Sequence, residues 1–214
     1  MLRTDDSSAV EFAASLLKLG NGAMASENQD VTISMNNTGK TVATLQQRQD
    51  AAFPNVAHNF HDHKWLCQRA ILAPKNDVAN STNRGLLTQL PGTMQMCKSV
   101  DTVPDTTEAV HCPTEFFNSL ELPGVPPHNL ELKLGAPIIL LRNLDPPTLC
   151  NGTRLAVKKL MPHVIEATII TGLAAGQDVF IPRNPIIPSD LPFQFRRLQF
   201  PVRISFAMSI NKAV

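Results

Sequence analysis

A Gly-Lys-Thr triplet is the first feature of the sequence that could support chemistry. Gly39, Lys40 and Thr41 have the order that ends a phosphate-binding loop. Such a loop also needs a glycine five residues before the second one, and it joins a buried strand to an apolar helix. Ser34 stands in place of that glycine, and the polar segment 46–50 follows. The pattern therefore predicts an ordinary polar loop.

The segment 58–67 is a second candidate site, because it holds three histidines and one cysteine. Imidazole and thiolate groups bind zinc, but structural zinc sites usually take their ligands from two separated pairs. Downstream, His111 and Cys112 are adjacent rather than spaced. We therefore predict a surface turn leading into a strand, and keep a zinc-dependent enzyme as a minor hypothesis.

The remaining polar residues show no catalytic pattern. No serine lies in the glycine-flanked turn of a hydrolase, and the carboxylates have no organised spacing. Two basic pairs, Lys158-Lys159 and Arg196-Arg197, are predicted to lie at the solvated surface. We assign no catalytic, cofactor-binding or metal-binding residue from the sequence.

Composition indicates a folded chain of one or two small domains. The 214 residues are 43% hydrophobic and 17% charged, with a net charge of +1, which gives no positive support for nucleic-acid binding. The four cysteines form no CxxC pair. The first residues lack the apolar segment of a signal peptide, and no apolar run reaches the roughly 18 residues of a membrane span. We expect a soluble intracellular protein with reduced thiols.

The apolar pattern predicts an α/β unit followed by a small β-barrel. A helix is predicted from Ser7 or Ser8 to Leu19, and a short one near 42–49. Segment 69–74 is predicted as a buried strand, followed by a helix capped by Asn76 or Asp77, with the next strand in 94–103. A helix at 114–120 precedes the barrel, and Asn151-Gly152 predicts a type I′ hairpin turn. The strands of the barrel are predicted at 130–134, 138–142, 153–160, 164–171 and 179–182. Segment 200–208 is a strand or a helix.

Several ordered blocks resemble the Pif-type DNA helicases, including the helicase part of Helitron transposons. The first block runs from Phe53-Pro54-Asn55 through segment 65–76, which is similar to the approach to helicase motif IV. The most specific block is segment 126–145, continued by 150–155, which is similar to the barrel-like 2B insertion. Blocks within 182–212 are similar to the return into the second motor domain.

The resemblance implies a partial RecA-like motor domain (2A) interrupted by a small SH3-like β-barrel (2B). Residues 1–65 would form a helical and loop lead-in, and residues 66–112 the first part of 2A. Residues 113–195 would form the 2B insertion, and residues 196–214 the return into 2A.

The resemblance also implies ATP-driven unwinding of duplex DNA by movement along one strand. ATP and Mg²⁺ would serve the intact enzyme, whose first motor domain supplies the phosphate loop. The chain stops at Ala213-Val214, where the family continues its motif, so we expect a truncated piece without turnover or tight nucleotide binding. Lys75, Asn76, Ser209, Asn211 and Lys212 are the implied DNA contacts.

Nuclear location and roles in telomere maintenance, DNA repair and recombination follow from the resemblance alone. The alternative is a non-catalytic module in which the barrel binds DNA or a protein.

Overall fold

The computed structural model describes residues 7–23, 41–103, 114–122, 124–188 and 195–209. Two compact units divide the chain, Met1–Gln47 and Arg48–Val214. The described part of the first unit contains helix α1 (Ser7–Gly20), which confirms the predicted helix. Its apolar residues recur at helical spacing, and Val10, Phe12, Leu16 and Leu17 are exposed.

The remaining described elements are mostly helices up to residue 89 and mostly strands after it. The helices are α2 (Leu45–Ala52), α3 (Val56–Asn59), α4 (His63–Cys67), α5 (Asn76–Gln89) and α6 (Thr114–Ser119). The strands are β1 (Ile71–Ala73), β2 (Gln95–Lys98), β3 (Val100–Thr102), β4 (Asn129–Leu132), β5 (Pro137–Leu140), β6 (Arg154–Leu160), β7 (Val164–Ile169), β8 (Asp178–Pro182), β9 (Asn184–Ile186), β10 (Arg196–Gln199), β11 (Val202–Ile204) and β12 (Ala207–Ser209).

Strands β1 and β12 form a parallel pair that packs against α5. Ile71 pairs with Ala207 and Ala73 with Ser209, so strands more than 130 residues apart in the sequence lie side by side. Buried apolar residues of α5, among them Leu86, belong to the same core as β1 and β12. This packing explains the predicted strand and helix at 69–89, since parallel strands need an apolar cover.

An antiparallel five-stranded sheet has the order β11-β5-β6-β7-β8 and a separate core. Leu140, Leu155, Ile165 and Ile181 point into that core and are completely buried. All five strands predicted after residue 130 are present, the first of them as β4. Strand β11 pairs with β5, so the sheet continues beyond the predicted boundary at 195–196.

Two small antiparallel sheets complete the fold, β3-β10-β9 and β2-β4. The single strand predicted in 94–103 is therefore two strands. Between them Ser99 donates its backbone N–H to the carbonyl oxygen of His128, at 2.9 Å. The segment 200–208 likewise contains two strands, β11 and β12.

One predicted turn type and one predicted helix cap are wrong. Among the two central residues of the Cys150–Thr153 turn, only Gly152 has positive φ, at 92°. A type I′ turn needs positive φ at both central residues. Because Asn151 does not have positive φ, the turn is not of type I′. At α5 the N-cap residue is Lys75 rather than Asn76 or Asp77, and its side chain makes no capping hydrogen bond.

One glycine is required by a close approach. Gly135 has φ of 75° and precedes β5, and a Cβ atom there would overlap the ring of Phe60. Its backbone N–H donates to the carbonyl oxygen of Val157, at 2.7 Å. A side chain at this position would therefore disturb the packing of Phe60, the residue after α3, against the segment before β5.

Candidate nucleic-acid interface

The carboxyl ends of β1 and β12 bring three of the predicted DNA contacts to one edge. Ala73 and Ser209 are register partners and the last residues of their strands. Lys75 and Asn76 follow β1 directly and begin α5. Because the ends of neighbouring parallel strands share one edge of a sheet, Lys75, Asn76 and Ser209 lie near each other.

The start of α5 gives this edge its electrostatic character. Lys75 and Asn76 are exposed, and the extended backbone of Lys75 leaves first-turn N–H groups without a side-chain cap from this residue. Helix N-termini attract anions through such groups and through the helix dipole. Asp77 in the first turn offsets part of that attraction. The arrangement is suited to a phosphate rather than to a metal ion or an acid–base reaction.

Asn83, on the buried face of α5, fixes β12 against the helix. Its amide nitrogen donates to the carbonyl oxygens of Ala207 (2.8 Å) and Ile204 (3.1 Å). Its amide oxygen accepts from the backbone N–H of Ala207 at 2.7 Å. No prediction from the sequence named this residue. The available signal was an amide on the same helix face as Ala79 and Leu86, because polar groups buried on an apolar face need partners.

Lys133 closes the opposite end of α5. It precedes β5, is buried, and its Nζ donates to the carbonyl oxygens of Leu90 (2.6 Å) and Thr88 (3.3 Å). A cation at a helix C-terminus satisfies the last carbonyl groups and complements the dipole. Asn83 and Lys133 together hold the helix that presents Lys75 and Asn76.

Arg154 of β6 joins the five-stranded sheet to the parallel pair. Its Nη2 donates to the carbonyl oxygens of Arg69 (3.0 Å), Leu66 (3.3 Å) and Ser205 (3.3 Å), and Nη1 donates to that of Cys67 (3.4 Å). Burial lowers the pKa of this guanidinium from its ordinary value, and Cys67 opposes that effect. The charge is stabilised by main-chain carbonyl groups in place of water.

Arg197 is completely buried, so the prediction that both members of the Arg196-Arg197 pair are solvated is wrong. Its Nε and Nη2 donate to the two carboxylate oxygens of Asp101, at 3.0 and 2.9 Å. Nη1 and Nη2 also donate to the carbonyl oxygens of Phe117, Leu120 and Pro126. A buried guanidinium needs a partner for each donor, and this one has them, so its role is structural.

The segment 58–67 contains the end of α3, a turn at 60–61 and the whole of α4, and it leads into β1. The predicted strand is therefore present, but most of the predicted turn is helix. Asp62 caps α4 by accepting from the backbone N–H groups of Lys64 (2.9 Å) and Trp65 (3.1 Å). Leu66 is completely buried. Within the described ranges, no three His, Cys, Asp or Glu residues lie close enough to hold a metal ion.

Part of the predicted site and one rejected motif lie outside the described residues. Asn211 and Lys212 follow the last described residue, Ser209, and Gly39 and Lys40 precede Thr41. In the described portion, no helix is long and apolar enough to cross a membrane.

Part of this chain matches a known domain family. Residues 115–160, which include α6 and β4 to β6, match the family model of the 2B domain of DNA helicase Pif1. The ATP-dependent DNA helicase PIF1 of Danio rerio is 26% identical over 143 residues. These residues are 66% of this chain and 21% of that protein, so the chain corresponds to about a fifth of the curated relative.

Solved Pif1 structures share the fold at low sequence identity. A structure of two coordinating Pif1 helicases unwinding forked duplex DNA matches with a TM-score of 0.55 and 14% identity, over 99% of this chain and 39% of that chain. Bacteroides Pif1 with ADP-AlF3 and single-stranded DNA matches with a TM-score of 0.53 and 14% identity, over 100% of this chain and 42% of that chain. Candida albicans Pif1 matches with a TM-score of 0.51 and 18% identity, over 85% of this chain and 47% of that chain. The chain is similar to the Pif-type DNA helicases, and its residues 115–160 are similar to their 2B domain.

Proposed function

We propose that this chain is part of an ATP-dependent DNA helicase that unwinds duplex DNA, and that the shared end of β1 and β12 contacts a single DNA strand. The pairing of Ala73 with Ser209 carries this proposal, because it brings Lys75, Asn76 and Ser209 together beside the start of α5. Lysine, small polar side chains and helix N-termini are common phosphate contacts. Asn211 and Lys212 extend the proposed contact along the chain.

The proposal assigns the parallel pair and α5 to a RecA-like 2A domain, made of residues 66–112 and 196–214. Residues 113–195 would be a 2B insertion shaped as an SH3-like barrel. The match over residues 115–160 supports the second assignment, and strands β5 to β8 of the five-stranded sheet lie within it. Strand β11 of the same sheet lies outside it.

ATP and Mg²⁺ would act in the whole helicase, and we propose no turnover for this chain by itself. The Gly39-Lys40-Thr41 triplet lacks the earlier glycine of a phosphate loop, and the 214 residues contain no other candidate. Purified protein with single-stranded DNA and ATP should release phosphate at the rate of buffer alone. Turnover well above that background would contradict this part of the proposal.

Binding of fluorescent oligo(dT), followed by anisotropy over a range of salt concentrations, tests the DNA contact. Affinity should fall steeply with salt, since each phosphate contact on a single strand contributes about 0.7 to the slope of log K against log salt. Lys75→Ala should weaken binding and reduce the slope by about 0.7. The exposed Lys159 of β6 is the matched control, and Lys159→Ala should change neither quantity.

A non-catalytic module that binds DNA or protein through the barrel is the second candidate, favoured by the separate core of the five-stranded sheet. It predicts that oligo(dT) binding survives Lys75→Ala unchanged. That result would reject the proposed edge and support the module. Nuclear location and the roles in telomere maintenance and repair remain predictions from the resemblance.

A further inference from the structure

A cleft of about 800 Å³ lies along α5, and its lining includes none of the proposed DNA contacts Lys75, Asn76 and Ser209. Its size falls within the range of about 300–1,000 Å³ typical of ligand sites. One wall is a face of α5 that includes Asn80, Ser81 and Arg84, and the opposite wall contains residues 118–121 and 127–131. Amide and hydroxyl groups are frequent on both walls, so the cleft suits a polar occupant.

The edge of strand β4 forms part of the second wall. Five consecutive residues, Pro127 to Glu131, line the cleft, and the last three belong to β4. Side chains of a strand alternate between its two faces, so a wall made of consecutive residues presents the main chain as well. Within the described residues β4 pairs with β2 alone, which leaves its other edge without a strand partner there. An unpaired edge is a template for an added extended chain.

The charges of the cleft oppose a nucleic-acid occupant. Its lining contains three carboxylates, Asp77, Glu121 and Glu131, and two arginines, Arg84 and Arg203. The carboxylates exceed the arginines by one, a balance that disfavours a phosphate backbone.

Both arginines already have partners. Arg84 lies 3.4 Å from Glu131, and Nη2 of Arg203 donates to the carbonyl oxygens of Val125 (2.7 Å) and Leu122 (3.4 Å). The side chain of Arg84 is 74% exposed, so an incoming cation could replace it beside Glu131. The lining therefore favours lysine or arginine side chains over acidic ones.

We propose that this cleft binds an extended segment of a partner protein that carries basic side chains. The segment adds a strand to the open edge of β4 and places its cations near Asp77 and Glu131. Main-chain hydrogen bonds would supply affinity, and the carboxylates would supply selectivity. This surface adjoins the proposed DNA contact at Asp77, and its partner is a protein segment rather than a DNA strand.

Three end-blocked hexapeptides test the proposal on the full, ¹⁵N-labelled chain by NMR titration. One alternates lysine and valine, the second alternates glutamate and valine, and the third repeats the first with N-methylated peptide bonds. The first should shift the amide resonances of residues 129–131 saturably. The second should bind at least tenfold more weakly, and the third should not bind, because it cannot donate strand hydrogen bonds.

Asp77→Asn should weaken binding of the lysine peptide about two- to fivefold, the effect of one exposed ion pair. The exposed Asp145 lies outside the cleft, and Asp145→Asn should leave the affinity unchanged. An unchanged pattern of amide resonances away from α5 shows that each variant is folded. The proposal is overturned if the lysine peptide causes no saturable shift up to about 1 mM. It is also overturned if the acidic or N-methylated peptide binds equally well, or if oligo(dT) occupies this cleft instead.

Discussion

Asn83→Ala should destabilise the chain more than any other single amide truncation in α5. The side chain donates to Ile204 and Ala207 and accepts from the backbone N–H of Ala207. Truncation leaves these buried groups without Asn83 as their partner. Each unsatisfied buried group costs about 1–3 kcal/mol, and partial relaxation brings the expected total to about 2–4 kcal/mol. That is a large share of the roughly 5–15 kcal/mol by which domains are stable.

Urea unfolding followed by circular dichroism measures this effect through the midpoint at constant slope. With a slope of about 2 kcal/mol per molar urea, the midpoint should fall by about 1–2 M. Asn80→Ala is the matched control, because Asn80 is exposed one turn earlier on the same helix. It should change stability by less than about 0.5 kcal/mol.

Equal losses for the two variants would refute the assignment of Asn83 as the residue that fixes β12. A second variant, Asn83→Asp, keeps the size but replaces two N–H donors by an acceptor facing two carbonyl oxygens. It should be destabilising at neutral pH and recover part of the loss in acid, where the protonated carboxyl donates again. A loss that is independent of pH would contradict this reading.

Three further predictions concern other parts of the fold. Asp101→Asn should cost about 3–5 kcal/mol in urea unfolding, because it leaves the buried Arg197 charge unbalanced, whereas the exposed Asp145→Asn should be nearly neutral. Gly135→Ala should cost at least about 1–3 kcal/mol in the same assay, from positive φ and overlap with Phe60. Hydrogen bonds from Lys158 and, to a smaller extent, Thr168 lower the pKa of Asp178. The stability that Asp178 contributes is therefore present above the ordinary pKa of a carboxyl group, and it is lost as the pH falls through the lowered pKa. Asp178→Asn should remove that part of the acid dependence of the thermal midpoint, and an unchanged profile would contradict it.

Elements with strong local patterns could be predicted from the sequence, and long-range polar contacts could not. The apolar spacing of α5 and the run Ile71–Ala73 describe a helix and a buried strand without knowledge of their neighbours. Arg197 and Asp101 are 96 positions apart, and Asn83 and Ala207 are 124 apart. Nothing in a local window indicates such partners, so Arg197 was interpreted as a surface residue.

In the candidate site, too, the proximity of residues far apart in the sequence could not be predicted from local patterns. Lys75, Asn76 and Ser209 came from family resemblance, and no pattern in the sequence brings residue 75 near residue 209. The register of β1 and β12 supplies that proximity. Asp62 illustrates a local signal that was missed, since an aspartate before 63–67 is a favourable N-cap and predicts a helix there. The proposed boundaries at 112–113 and 195–196 remain predictions.

The four carbonyl contacts of Arg154 have a mechanical consequence. They connect β6 to the C-terminal end of α4, to the approach to β1 and to the connection before β12. Pulling the five-stranded sheet away from the parallel pair would load all four bonds together, because one planar group makes them. The two sheets should therefore separate in a single step, with all four hydrogen bonds breaking together. A displacement of β12 should move β6 with it, because the guanidinium group of Arg154 in β6 contacts the segment before β12.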